Sequence, residues 1–232
     1  MRIAIALTLG LAVALLVVPM TSAESADSRS GFSAEDLLPL SARRARFLLR
    51  GPDGVTSEVQ WSRLPVAGSA NRWRIEAAGY QATLLERGGD GRLQILTQWD
   101  YRMGHRIDYE PPALLLPARL EPGVEGHSES RVVIHDLDGG GRKTGTCVHD
   151  VRLVGESVVD TPGGAFRSVR VDVTRSVDVL VADAHVVIEL AFVLQQGRVL
   201  ERTVQQVGLF GFRGTRERSS LELLREGDAA GD

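Results

Sequence analysis

A chain of 232 residues with 30 acidic side chains and 27 lysines or arginines carries a formal charge of −3, and the two signs are interspersed along it. That balance excludes a nucleic-acid-binding surface, which needs basic residues gathered on one face. The single cysteine, Cys147, excludes an intramolecular disulfide, so the fold stands on its core alone.

The first element is a targeting segment. Met1-Arg2, an apolar run from Ile3 to Val18 and the small-residue stretch ending at Ala23 have the order of a secretion signal. The run is about 16 residues, short of the roughly 20 that span a bilayer core as a helix, so an uncleaved anchor is the weaker reading. Residues 1–23 are therefore expected to be removed near Ala23, leaving a protein that is periplasmic or extracellular. Residues 24–33 read as a disordered leader, and 226–232 as a disordered tail. Residues 34–225 read as one β-rich domain. About 190 residues can bury roughly 70% of the unfolded chain's surface, and no linker divides them.

Within that span, Ser33 to Leu40 predicts a helical turn capped by Ser33, with Asp36 three residues on and Pro39 ending it. Arg43, Arg44 and Arg46 read as a solvated strand face, as do Arg213, Arg216 and Arg218. Gly51-Pro52-Asp53-Gly54 predicts a hairpin turn. In the next strand Trp73, Ile75 and Ala77 face one way and the charges the other. After the turn Gly88-Gly89-Asp90-Gly91, Leu93, Ile95 and Trp99 alternate with Gln94, Gln98 and Asp100. Glu110 to Gly123 carries Pro111, Pro112, Pro117 and Pro122, too few free N–H groups for a ladder, and predicts a crossover or rim loop. Asp138-Gly139-Gly140-Gly141 predicts another hairpin. Val169, Val171 and Val173 then alternate with Arg170, Asp172 and Thr174. His185 to Val193 is apolar on both faces apart from Glu189, so it is either a strand covered on both sides or one whose inner face lines a cavity. Gln195-Gln196-Gly197 predicts the last of these turns.

Ten to thirteen strands with one apolar and one polar face predict a mainly β protein with few short helical turns. Three patches add a resemblance. Asp36-Leu37-Leu38-Pro39-Leu40 with the turn at 51–54, the proline-rich stretch 109–123, and Val154–Val158 followed by Pro162-Gly163-Gly164-Ala165-Phe166 resemble uncharacterised exported bacterial domains. Those are related in fold to the outer-membrane lipoprotein carriers. Phe192 to Gly197 departs from that pattern, which has Trp-Tyr-x-Pro before a glycine. The resemblance implies a lipoprotein-carrier-like half-barrel: a single curved antiparallel sheet around an apolar concave face.

Catalytic patterns are weak. Cys147 and His149 share a strand face about 6.6 Å apart, side chains standing parallel there converge poorly, and Asp150 points the other way. His135-Asp136-Leu137-Asp138-Gly139 lacks the further oxygen ligands of a calcium loop and reads as a hairpin tip. No catalytic, metal or cofactor site is assigned. The reading is a non-catalytic exported domain that binds an apolar ligand, a lipid acyl chain, in the concave face. Trp73, Trp99, Val171, Val186, Ile188, Leu190 and Phe192 are the expected lining. The implied partners are a lipid or other apolar small molecule and an envelope protein, with only transient contact with a membrane and none with nucleic acid. The alternative is an envelope structural or interaction module whose concave face is filled by its own side chains.

Overall fold

The computed structural model describes residues 31–180, 182–209 and 212–226. The expected signal peptide, most of the leader and the tail beyond Glu226 lie outside the described residues. The elements are β1 (Phe32–Ser33), α1 (Ala34–Leu37), β2 (Arg43–Arg50), β3 (Thr56–Pro65), β4 (Arg72–Ala77), β5 (Gln81–Arg87), β6 (Leu93–Asp100) and β7 (His105–Leu116). They continue with β8 (Arg119–Leu120), β9 (Glu125–Asp136), β10 (Arg142–Thr161), β11 (Gly164–Val179), β12 (Ala182–Val193), β13 (Gly197–Leu209) and β14 (Phe212–Glu226).

Twelve strands form a closed antiparallel barrel in which chain neighbours are sheet neighbours from β2 to β14, with β8 set aside to pair β1. The four turns named from the sequence each join two adjacent strands. The half-barrel expectation is corrected by one ladder. β14 pairs β2, setting Leu221 opposite Leu49 and Leu223 opposite Phe47, and the sheet has no free edge left.

One end of the barrel is stoppered by the segment that enters it. Ser33 caps α1 by accepting from the Asp36 N–H at 3.0 Å, as its position implied. Phe32 and Ser33, placed by the sequence in a disordered leader, instead pair Leu120 and Arg119, because Phe32 is buried with Leu37, Leu38 and Leu120. The Asp36 carbonyl accepts from Gln195 N–H in the β12–β13 turn at 2.8 Å, and Glu35 pairs with Arg87 beside the β5–β6 turn. At the other end, no comparable segment crosses the mouth among the described residues.

Irregularities in the ladders redirect side chains. The proline-rich stretch is not a rim loop, since Pro111 and Pro112 lie inside β7. They sit where the β6 ladder slips between Ala113 and Asp108 and where the β9 ladder has ended at Glu110, so no barrel hydrogen bond needs their missing N–H. On β6 the same slip leaves Leu96 as an extra residue. In β10, a 20-residue strand that includes the patch 154–158, the ladder to β11 has a bulge at Gly155, φ 135°. Beyond it the β10–β11 hairpin carries Val159 and Phe166 onto a cluster with Ala191, Leu200 and Leu223.

The hairpin tip is latched by the Gly163 N–H donating to the Leu223 carbonyl at 2.9 Å. A Cβ at Gly163 would meet the Leu224 and Leu223 carbonyl oxygens at 2.8 and 3.0 Å. Gly163→Val should therefore lift the tip from β14 and cost about 1–3 kcal/mol. Urea unfolding checks this, and an unchanged midpoint would mean the latch contributes nothing.

Candidate ligand cavity

Closing twelve strands encloses more width than facing side chains fill; eight strands already give an interior that side chains can just fill. The interior here divides in two. Toward the stopper, Leu38, Leu85, Ile95, Leu115 and Phe192 leave a space of about 70 Å³. Toward the open end a cavity of about 420 Å³ remains, in the size range of small-molecule sites. One wall is aliphatic, with Ile107, Ile134, Val177, Val179, Val186 and Ile188, while Gln81, Asp100, Thr203, Gln205 and Ser219 contribute polar groups.

Gln81, Gln98, Arg175, Ile188 and Glu201 line both spaces and so form the floor of the upper one. Arg175 Nη1 donates to Gln98 Oε1 at 2.7 Å, and the Tyr109 hydroxyl lies 3.3 Å from the same oxygen. Gln81 Nε2 donates to Glu201 at 3.2 Å, and Arg198 pairs with Glu201. Arg198 and Glu201 both reach the lumen because the β12–β13 ladder slips between Leu200 and Arg198, leaving Val199 as an extra residue. Below the floor, Trp61 has the guanidinium carbons of Arg43, Arg63 and Arg198 at 6.0, 5.9 and 5.8 Å from its ring centroid. Burial, reinforced by Arg43 and Arg198, lowers the Arg63 pKa to about 10. Arg43 is thus not part of a solvated face. Alternation turns it inward with Ala45 and Phe47, while Arg44 and Arg46 stay exposed.

Four of the expected lining residues, Val186, Ile188, Leu190 and Phe192, line these spaces, which places the inner face of β12 on the lumen. Its outer face carries Glu189, ion-paired with Arg170 and Arg202. Val171 is fully buried opposite Leu153 and Leu190, behind the cavity surface. Trp73 is half-buried, opposite Pro65 and Leu85 near the stoppered end, and lines neither space. Trp99 is on the wrong side. The extra residue at Leu96 reverses the alternation after Ile95, so Gln98 and Asp100 face the lumen and Trp99 lies outside beneath Arg74, 4.7 Å from its ring. Tyr101 accompanies it, accepting from Arg74 Nη2 at 2.6 Å. Phe210 and the Phe212 side chain lie outside what is described.

Arg175 is the residue that sequence reading passed over. A signal existed: the inward set Val169, Val171, Val173 continues through position 175 to Val177 and Val179, so an arginine interrupts an apolar face. It lies opposite His149 in the ladder. Burial, then the Arg175 charge, lowers the His149 pKa to about 3. With Nδ1 3.2 Å from the Leu114 carbonyl, the neutral ring donates there and leaves Nε2 without a partner. Burial pushes the Cys147 thiol up to about 11. A thiol that stays protonated beside an imidazole that stays neutral is no activated nucleophile at neutral pH. Asp150 is on the outer face with His127, at 2.7 Å.

No protein-family model matches the chain, and no curated protein matches it. Among solved structures, it is similar to an exported-protein candidate with a YmcC-like fold from Bacteroides fragilis. The two are 10% identical over 85% of this chain and 100% of that one, with a TM-score of 0.47. A lipoprotein candidate from Parabacteroides distasonis is 11% identical over 82% of this chain and 97% of that one, with a TM-score of 0.40. Neither likeness assigns a function, and the lipoprotein-carrier relationship stays a resemblance of motifs.

The buried neutral imidazole has a thermodynamic sign. Between pH 6.5, where an unfolded histidine titrates, and about 3, where His149 does, the unfolded state holds the extra proton. Stability therefore falls as pH falls through that window, by up to about 1.4 kcal/mol per pH unit from this site. His149→Gln should remove that part of the slope in denaturant titrations across the window. Parallel curves for the two proteins would show that His149 is not buried neutral.

Proposed function

We propose that this chain is an exported, non-catalytic binding protein that takes the acyl chain of a lipid or a similar apolar ligand into the open half of its barrel. The observation that carries the reading is the aliphatic wall of β9, β11 and β12 facing a cavity of about 420 Å³ at the unstoppered end. Export rests on the signal-like residues 1–23, and contact with a membrane is transient because the ligand, not the protein, is the membrane component. Each methylene moved from water onto that wall gains about 0.8 kcal/mol, so roughly ten gain about 8 kcal/mol gross. That exceeds the lower estimates of the association cost, about 4 kcal/mol.

A second reading has its own support. The stoppered half, with about 70 Å³ left, is filled by the chain's own side chains, as an envelope structural or interaction module would require of the whole interior. The two readings differ in the upper half alone.

Ile188 lines both spaces and is only half-buried, so a larger side chain there projects into the cavity rather than into packed core. Titrating the purified protein with the fluorescent fatty acid cis-parinaric acid should give saturable uptake at one site per chain. Ile188→Trp should weaken uptake at least tenfold with the far-ultraviolet circular dichroism unchanged. Uptake absent from the wild type, or unaltered in Ile188→Trp, would return the weight to the module reading.

A further inference from the structure

Arg175 is 9% exposed, projects to the lumen face of β11, and borders both the filled and the open halves of the interior. Among the described residues its one hydrogen bond goes to a neutral amide, Gln98, and its buried Nε has no partner. No carboxylate lies within ion-pairing distance of it among the described residues. Of the acidic groups that share the cavity, Glu201 is engaged by Arg198, Glu217 by Arg102 and Asp100 by the Met103 N–H, while Asp183 is exposed at the start of β12. A buried guanidinium without a counter-charge is costly to desolvate, and the planar fork of arginine suits an oxyanion in two-point contact.

We propose that Arg175 receives the anionic head, a carboxylate or a phosphate, of a single-chain amphiphile that enters the barrel head first. This rests on the ligand reading above and fixes the ligand's charge and direction. Arg175 lies four positions before Val179 at the rim, which sets its Cα roughly 13 Å down the strand. Beneath it only about 70 Å³ is left, too little for an acyl chain, whereas Val177, Val179, Val186 and Ile134 line the way up to the mouth. A tail directed downward would set its end against the unpaired charge. A tail directed upward lies on the aliphatic wall and leaves the head on Arg175, with Gln98 alongside.

Isothermal titration of the purified protein with dodecanoate, dodecyl phosphate and dodecan-1-ol tests this, because the three probes share a chain and differ in the head. At least one anion should bind 10- to 100-fold more tightly than the alcohol, the range expected of a hydrogen bond to a charged group. The tighter of the two anions names the head. Arg175→Met should bring anion and alcohol to equal affinity, and Arg175→Lys should keep part of the preference. Equal affinity for anion and alcohol in the wild type, a comparison that needs no variant to fold, would overturn this proposal and leave the apolar-ligand reading standing. A preference that survives in Arg175→Met would also overturn it. Binding of none of the three would overturn both.

Discussion

The cavity exists because the last strand finds the first. From β2 to β14, with β8 set aside, neighbours in the sheet are also neighbours in sequence, an arrangement that short connections can build locally. Only the β14–β2 ladder joins the ends, and it turns an open curved sheet, with solvent on its concave face, into a lumen with an inside. Inward Leu221 and Leu223 then pack with Phe47, Trp61 and Ala77, so the closing ladder belongs to the same cluster that Val159 and Phe166 join. The β10–β11 hairpin supports it from outside through the hydrogen bond to the Leu223 carbonyl.

Once twelve strands have closed, width becomes the problem that the sequence has to solve, and it solves it differently at the two ends. At one end the chain folds α1 and β1 back over the opening and fills the space with leucines. Midway, long polar side chains reach inward and hold one another, with Arg198 on Glu201, Gln81 on Glu201 and Arg175 on Gln98. Above that floor the aliphatic wall faces the cavity of about 420 Å³. The same burial that places Arg175 there silences Cys147 and His149, whose shifts both run away from the states that catalysis needs.

Much of the local architecture was legible from residues. The Ser33 cap and the four glycine-bearing turns follow from capping and turn chemistry, whereas β12, apolar on both faces, left open whether its inner face met a cavity. What alternation cannot express is an interruption of itself. One extra residue at Leu96 sends Trp99 to the outside and Gln98 to the lumen, and one at Val199 sets Arg198 and Glu201 on the same side. Pro111 and Pro112 looked like evidence against a strand, yet they occupy a gap between two ladders where no N–H is needed. Closure was beyond local patterning altogether, because a strand that pairs on one edge and a strand that pairs on both have the same alternation of faces. Arg175 was visible as a break in an apolar series, but its meaning depended on a floor that exists only in the closed barrel.

A barrel whose open half holds an amphiphile should keep it through a gentle purification. Native mass spectrometry of the protein purified from a bacterial envelope under gentle conditions, with lipid extraction of the same sample, tests this most directly. The expected result is a discrete adduct, one per chain, that extracts as a single-chain lipid. A protein that appears at its bare mass, and from which no lipid extracts, would contradict it.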